Sequence, residues 1–113
     1  NGLYALAHGY HYCVFTKRLR PDTRKPHWHK VLAVQHTLKV CRNVVLLDSD
    51  AAIHDFDLRL EPVFDEFLGA GTGKHMALAV DWPQPWCYAN TGVVLYRRHP
   101  IVDELLTYWY DSP

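Results

Sequence analysis

The chain has 113 residues, 49% of them hydrophobic, which suffices for one buried core but not two, so residues 1–113 read as a single globular unit. Twelve basic and twelve acidic side chains cancel, which excludes the electrostatic footprint that nucleic acid or an anionic membrane demands. No apolar run approaches the roughly 20 residues needed to span a bilayer, so partners must be sought at local sites.

In chain order, Leu3 to His8 reads as the tail of a helix, stopped by Gly9. Tyr10 to Thr16, "YHYCVFT", is aromatic and β-branched and predicts a strand. Lys17 to Pro26 holds five basic residues and two prolines and predicts a polar loop. His27 to Leu38 brings Trp28, Val31, Leu32 and Leu38 to near-helical spacing. Cys41 to Asn43 predicts a turn, and Val44 to Leu47 a strand buried on both faces, as in a parallel sheet covered by helices. Glu61 to Leu68 predicts a helix that tolerates Pro62 in its first turn, and "GAGTG" a flexible connection. Met76 to Val80 and Thr91 to Tyr96 predict strands separated by a Pro- and Trp-rich loop, Asp81 to Tyr88. A helix from Ile101 to Tyr110 closes the chain. The order predicts an α/β sandwich whose sheet is largely parallel. Asn1 is no initiator Met and "YWYDSP" ends abruptly, so the chain reads as a piece of something longer, incomplete at both ends.

Chemistry concentrates where "VVLL" runs into Asp48-Ser49-Asp50. Two carboxylates this close repel unless a positive partner sits between them. In an extended segment residues two apart project to one side, so D-x-D can aim both acids at one point. Beyond the carboxyl end of a strand, where α/β sheets collect ligands, a hard divalent cation is the natural occupant, held by one or two carboxylates and by phosphate oxygens of a substrate. The rival reading has Asp48 capping the loop and Asp50 solvated. Asp55-Phe56-Asp57 repeats the D-x-D spacing without a preceding apolar run and reads as an exposed loop with an apolar plug.

"NVVLLDSDAAIHDFDLRLEPVFDEF" and, further on, "ALAVDWPQPWCYANTGVVLYRRHP" resemble the nucleotide-sugar glycosyltransferases of the Rossmann-like GT-A fold, in particular the galactosyl and xylosyl transferase group and its glycogenin-like relatives. The shared order is a helix with a basic residue, here Lys30 in "PHWHKVLAV", a strand ending in D-x-D, and Asn90-Thr91-Gly92 before "VVLYRR". The resemblance covers roughly Tyr4 to Tyr110. It implies a mostly parallel sheet flanked by helices and transfer of a sugar from a nucleoside diphosphate donor, UDP-linked, to an acceptor hydroxyl on a glycan, protein or small molecule. It implies Mn²⁺ or Mg²⁺ held by Asp48 and Asp50, with Lys30, Ser49, Asn90, Thr91 and Gly92 also at the donor. Asp81 and Asn90 would serve the reacting sugar, and one of Trp82, Trp86 and Tyr88 would stack on it. A membrane-anchored enzyme of the Golgi lumen is the corresponding expectation for location, although no membrane segment lies in this chain.

Each assignment has a plainer competitor. Lys30 serves equally as a solvated helix lysine, and "ANTG" as a turn entering a strand. The pairs His8/His11 and His27/His29 are not followed by a second pair at ligand spacing, which argues for scattered surface histidines over zinc, and His99 receives no metal role. Cys13, Cys41 and Cys87 lack CxxC spacing, and Cys13 in its apolar run predicts a buried free thiol. Two other functions fit the D-x-D. A phosphatase of the haloacid dehalogenase type would use Asp48 as nucleophile, although the Gly or Thr that normally follows is replaced by "AAI". An inactive, sugar-binding transferase-like module would bind ligand without turnover.

Overall fold

The computed structural model describes residues 1–81 and 89–112. Helix α1 spans Gly2–His8 and ends on Gly9, whose φ of 71° is the left-handed cap conformation glycine adopts without strain. A 3-10 turn over Pro26–Trp28 leads into α2, His29–Leu38. Strand β1 is Asn43–Leu47, α3 is Leu60–Leu68, β2 is Met76–Ala79, β3 is Asn90–Arg97 and α4 is Pro100–Asp111. Pro100 occupies the first turn of α4, where its missing N–H costs nothing. His99 caps that helix by accepting from the Ile101 N–H at 3.2 Å.

The sheet corrects the expected topology. Its order is β1-β3-β2, and β3 is antiparallel to both neighbours, so the architecture is a three-stranded antiparallel sheet with helices, not a mostly parallel Rossmann-like sandwich. The sequence from Val80 to Ala89 carries two prolines and no helical periodicity, and a parallel partner needs a crossover of a dozen residues or more. Strand β3 therefore returns between β1 and β2, which run in the same direction but never touch as a ladder.

Register fixes which face is buried. Val44, Tyr96 and Met76 lie abreast, as do Leu46, Val94 and Leu78. They share one face, packed against Val31, Val34 and Leu38 of α2 and Val102, Leu106 and Tyr110 of α4. Helix α3 buries Phe64 and Leu68, contacts β2, and accepts from the Arg97 guanidinium at the Leu68 carbonyl. Because Arg97 alternates with the buried Tyr96, α3 belongs to the other face.

Two expectations about individual segments fail together. Tyr10 to Thr16 forms no strand; Tyr12, Val14 and Phe15 stand 41–63% exposed. β-propensity expresses a fit to a sheet, and among the described residues no edge pairs with this segment. Residues Val44 to Leu47 are half-buried, not enclosed, because among the described residues β1 has only β3 beside it. Between that open edge, α1, α2 and residues 10–19 lies a largely apolar groove of about 880 Å³. Cys13 is exposed in the same segment, contrary to the buried thiol expected, and Cys41 is partly buried. Cys87, Trp82, Trp86 and Tyr88 lie outside the described residues.

The basic loop is fastened to the helices. Asp22 accepts from the Tyr110 hydroxyl and, at 3.1 Å, from the Arg24 N–H; the Tyr110 bond, first of all, lowers its carboxyl pKa. Arg20 and Arg24 lie over the Tyr110 ring at 4.7 and 5.1 Å. His29 is buried and its Nδ1 accepts from the Leu19 N–H at 3.2 Å, so the ring closes the loop onto the start of α2.

Candidate functional site

Strands β1 and β2 end, and β3 begins, at one rim of the sheet. Asp48 is the first residue past β1 and stays tied to the sheet, donating its N–H to the Gly92 carbonyl at 2.8 Å. Its own carbonyl accepts from the Ala51 N–H at 2.9 Å and closes a turn over Ser49 and Asp50. The D-x-D is therefore a turn and not a pleated pair: Asp48 is partly buried, while Ser49 and Asp50 are exposed. Among the described residues, the Asp50 carboxylate makes no hydrogen bond or ion pair.

The positive partner of Asp48 is Lys30. From the first turn of α2 its Nζ lies 3.1 Å from Asp48 Oδ1, 3.0 Å from Thr91 Oγ1 and 3.2 Å from the Thr91 carbonyl, which matches the three protons of an ammonium to three acceptors. Its side chain is 24% exposed against 40% for Asp48. The solvated-lysine reading is therefore wrong: Lys30 joins α2 to both strands at the rim.

On the other side of the rim, Asn90 folds its amide oxygen back to accept from the Gly92 N–H at 2.9 Å, a side-chain turn typical of Asn. Its Nδ2 faces Asp81 Oδ1 at 3.4 Å, a weak contact that leaves amide protons for other acceptors. A Cβ on Gly92 would stand 3.1 Å from Asn90 Oδ1 and 3.6 Å from Asp48 Oδ2, so glycine keeps the space between these side chains clear. The structure thus brings Lys30, Asp48, Asp81, Asn90, Thr91 and Gly92 together from a helix and three strand ends. Ser49 and Asp50 stand on the adjoining turn.

The other polar signals lie elsewhere. His99 stacks on His75 with ring centroids 3.8 Å apart, and His8 meets the Phe56 carbonyl at 2.7 Å. Asp55 accepts from the Asp57 and Leu58 N–H groups, and Phe56 lies edge-on to Tyr4, so the second D-x-D is a local turn with its ring as plug. Asn1 carries no sequence signal beyond the ordinary preference of Asn for helix starts, yet its side chain bonds Ala51 and Ile53, directly after the acidic turn.

Among the described residues no three His, Cys, Asp or Glu side chains gather as a cation cage. The carboxylates that would hold a hard cation, its remaining oxygens coming from a substrate phosphate and water, are those of Asp48 and Asp50. Among the described residues no helix is long and apolar enough to cross a membrane. Comparison with protein-family models, curated proteins and solved structures finds no match for this chain.

Proposed function

We propose that the rim binds the diphosphate of a nucleoside diphosphate sugar, UDP-linked, and that the chain carries the donor site of a metal-dependent glycosyltransferase. The observation that carries this reading is the Lys30 ammonium held between Asp48 and Thr91 beside an exposed Asp50. A fixed cation next to an uncommitted carboxylate suits a ligand that is itself an anion carrying a metal. When bound, Mn²⁺ or Mg²⁺ supplies Lewis-acid stabilisation of the departing diphosphate. Lys30 adds a second positive charge that needs no reorganisation as negative charge develops. The amide protons of Asn90 and the carboxylate of Asp81 offer a donor and an acceptor to sugar hydroxyls, and the absent side chain at Gly92 lets the ligand approach the main chain. The acceptor is a hydroxyl compound.

The test is a titration of the full-length protein with UDP and Mn²⁺, wild type beside Asp50→Asn. UDP binding is expected to require the cation and to weaken by at least tenfold in the variant, since even outer-shell supports of a metal cost about ten- to hundredfold. UDP affinity indifferent to both metal and substitution would sink the reading. Phosphate release from a generic ester with Mg²⁺ would instead mark Asp48 as a nucleophile.

A further inference from the structure

Asn1 stands at the N-cap position of α1, where its side chain ordinarily accepts from the helix's own first N–H groups. It makes no such bond. Its Nδ2 instead donates to the Ala51 carbonyl at 2.8 Å, and its Oδ1 accepts from the Ile53 N–H at 2.8 Å. One amide thus grips a carbonyl and the N–H two residues further on, as a neighbouring parallel strand would.

The place gripped matters for the site. Ala51 gives its N–H to the Asp48 carbonyl and its own carbonyl to Asn1, while Asp48 is held to β3 through Gly92. Asp50 therefore stands on a short exposed turn anchored on one side by the sheet and on the other by Asn1. Tyr4 and Tyr10 continue the same line of support: Tyr4 Oη donates to the Leu58 carbonyl at 2.5 Å, and Tyr10 Oη accepts from the Leu60 N–H at 3.1 Å.

We infer that Asn1 is a positioning residue for the acidic turn, fixing where the Asp50 carboxylate stands relative to Asp48. The inference rests on the cation-binding reading of that pair. Asn1 touches neither donor nor cation; it acts through the main chain of Ala51 and Ile53. Replacing the Nδ2 donor by an oxygen sets two acceptors against each other at Ala51, so Asn1→Asp conserves shape while breaking half the grip.

The experiment measures the Mn²⁺ concentration giving half-maximal UDP binding, together with thermal unfolding, for the full-length wild type, Asn1→Ala, Asn1→Asp and Tyr4→Phe. Tyr4→Phe loosens the same helix from the same connection, at a point remote from the acids. Both Asn1 variants are expected to raise the Mn²⁺ midpoint about tenfold, the low end for a supporting residue, while Tyr4→Phe lowers the unfolding temperature and leaves the midpoint unchanged. Should Asn1→Ala fail to fold, Asn1→Asp alone decides. An unmoved midpoint in a folded Asn1 variant, or an equal rise in Tyr4→Phe, overturns the inference alone. Absence of cation-dependent UDP binding in the wild type overturns the functional reading, and the inference falls with it.

Discussion

Lys30 occupies the first helical turn of α2, where the macrodipole disfavours a cation by about 0.3–1 kcal/mol. Nothing acidic lies in that turn to compensate; the compensation comes from Asp48 and Thr91 across the chain. On the cation-binding reading the ammonium and a divalent cation would compete for the Asp48 carboxylate, which leads to a two-sided expectation. Lys30→Met should tighten Mn²⁺ binding in the absence of nucleotide, because Asp48 is released, and should weaken UDP binding at saturating Mn²⁺, because a charge beside the diphosphate is lost. Manganese titration with and without UDP measures both, and movement of the two in the same direction would contradict the competition. The cost in stability should be about 1 kcal/mol or less, since the pair is part-exposed and water replaces the lost partner. Asp48 stood out in the sequence because an apolar run ended on it, and Asn90 through the resemblance that Asn90-Thr91-Gly92 carries. Lys30 was legible only as a residue type on a helix, since no local pattern says where a lysine tip reaches 18 positions along. Asn1 was not legible at all, its partners being 50 and 52 positions distant.

At the scale of elements, the helices were readable because their ends are written locally. Gly9 stops α1, Pro62 sits in the first turn of α3, and Pro100 opens α4. The segment Tyr10 to Thr16 was misread because strand propensity counts only against a partner. What fixes its beginning is instead Tyr10, whose hydroxyl donates to Glu61 Oε2 at 2.6 Å and accepts from the Leu60 N–H. That bond, the main chain at Glu61 and Arg59 hold the Glu61 carboxyl down from 4.5 to about 2. A carboxyl lowered on folding stabilises the fold above its unfolded value, and this stabilisation fades as pH falls from 4.5 towards 2. Tyr10→Phe should return the carboxyl towards its ordinary range, so the variant's stability should fall less steeply than the wild type's across that window. Urea midpoints collected along an acid titration decide this, and parallel acid limbs would show that Tyr10 does not govern Glu61.

For the whole molecule, alternation of strand and helix signals suggested parallel pairing, and the chain frustrates it by sending β3 back between β1 and β2. The positions of the three strands that form were readable within a residue or two, whereas strand order is not written in any periodicity. The rim survives this correction because the two co-directional strands finish at the same end, where β3 starts. Antiparallel pairing leaves another mark on the opposite flank of the sheet. Among the described residues β1 is bonded on one side only, and its free side is half-buried aliphatic backbone with neither a proline nor a charge between Val44 and Leu47. Such a border is a template on which copies of one sequence stack into growing ribbons. Isolated preparations of these 113 residues should scatter more light per molecule as they are concentrated, and Val45→Lys should suppress the rise by setting a charge on that border.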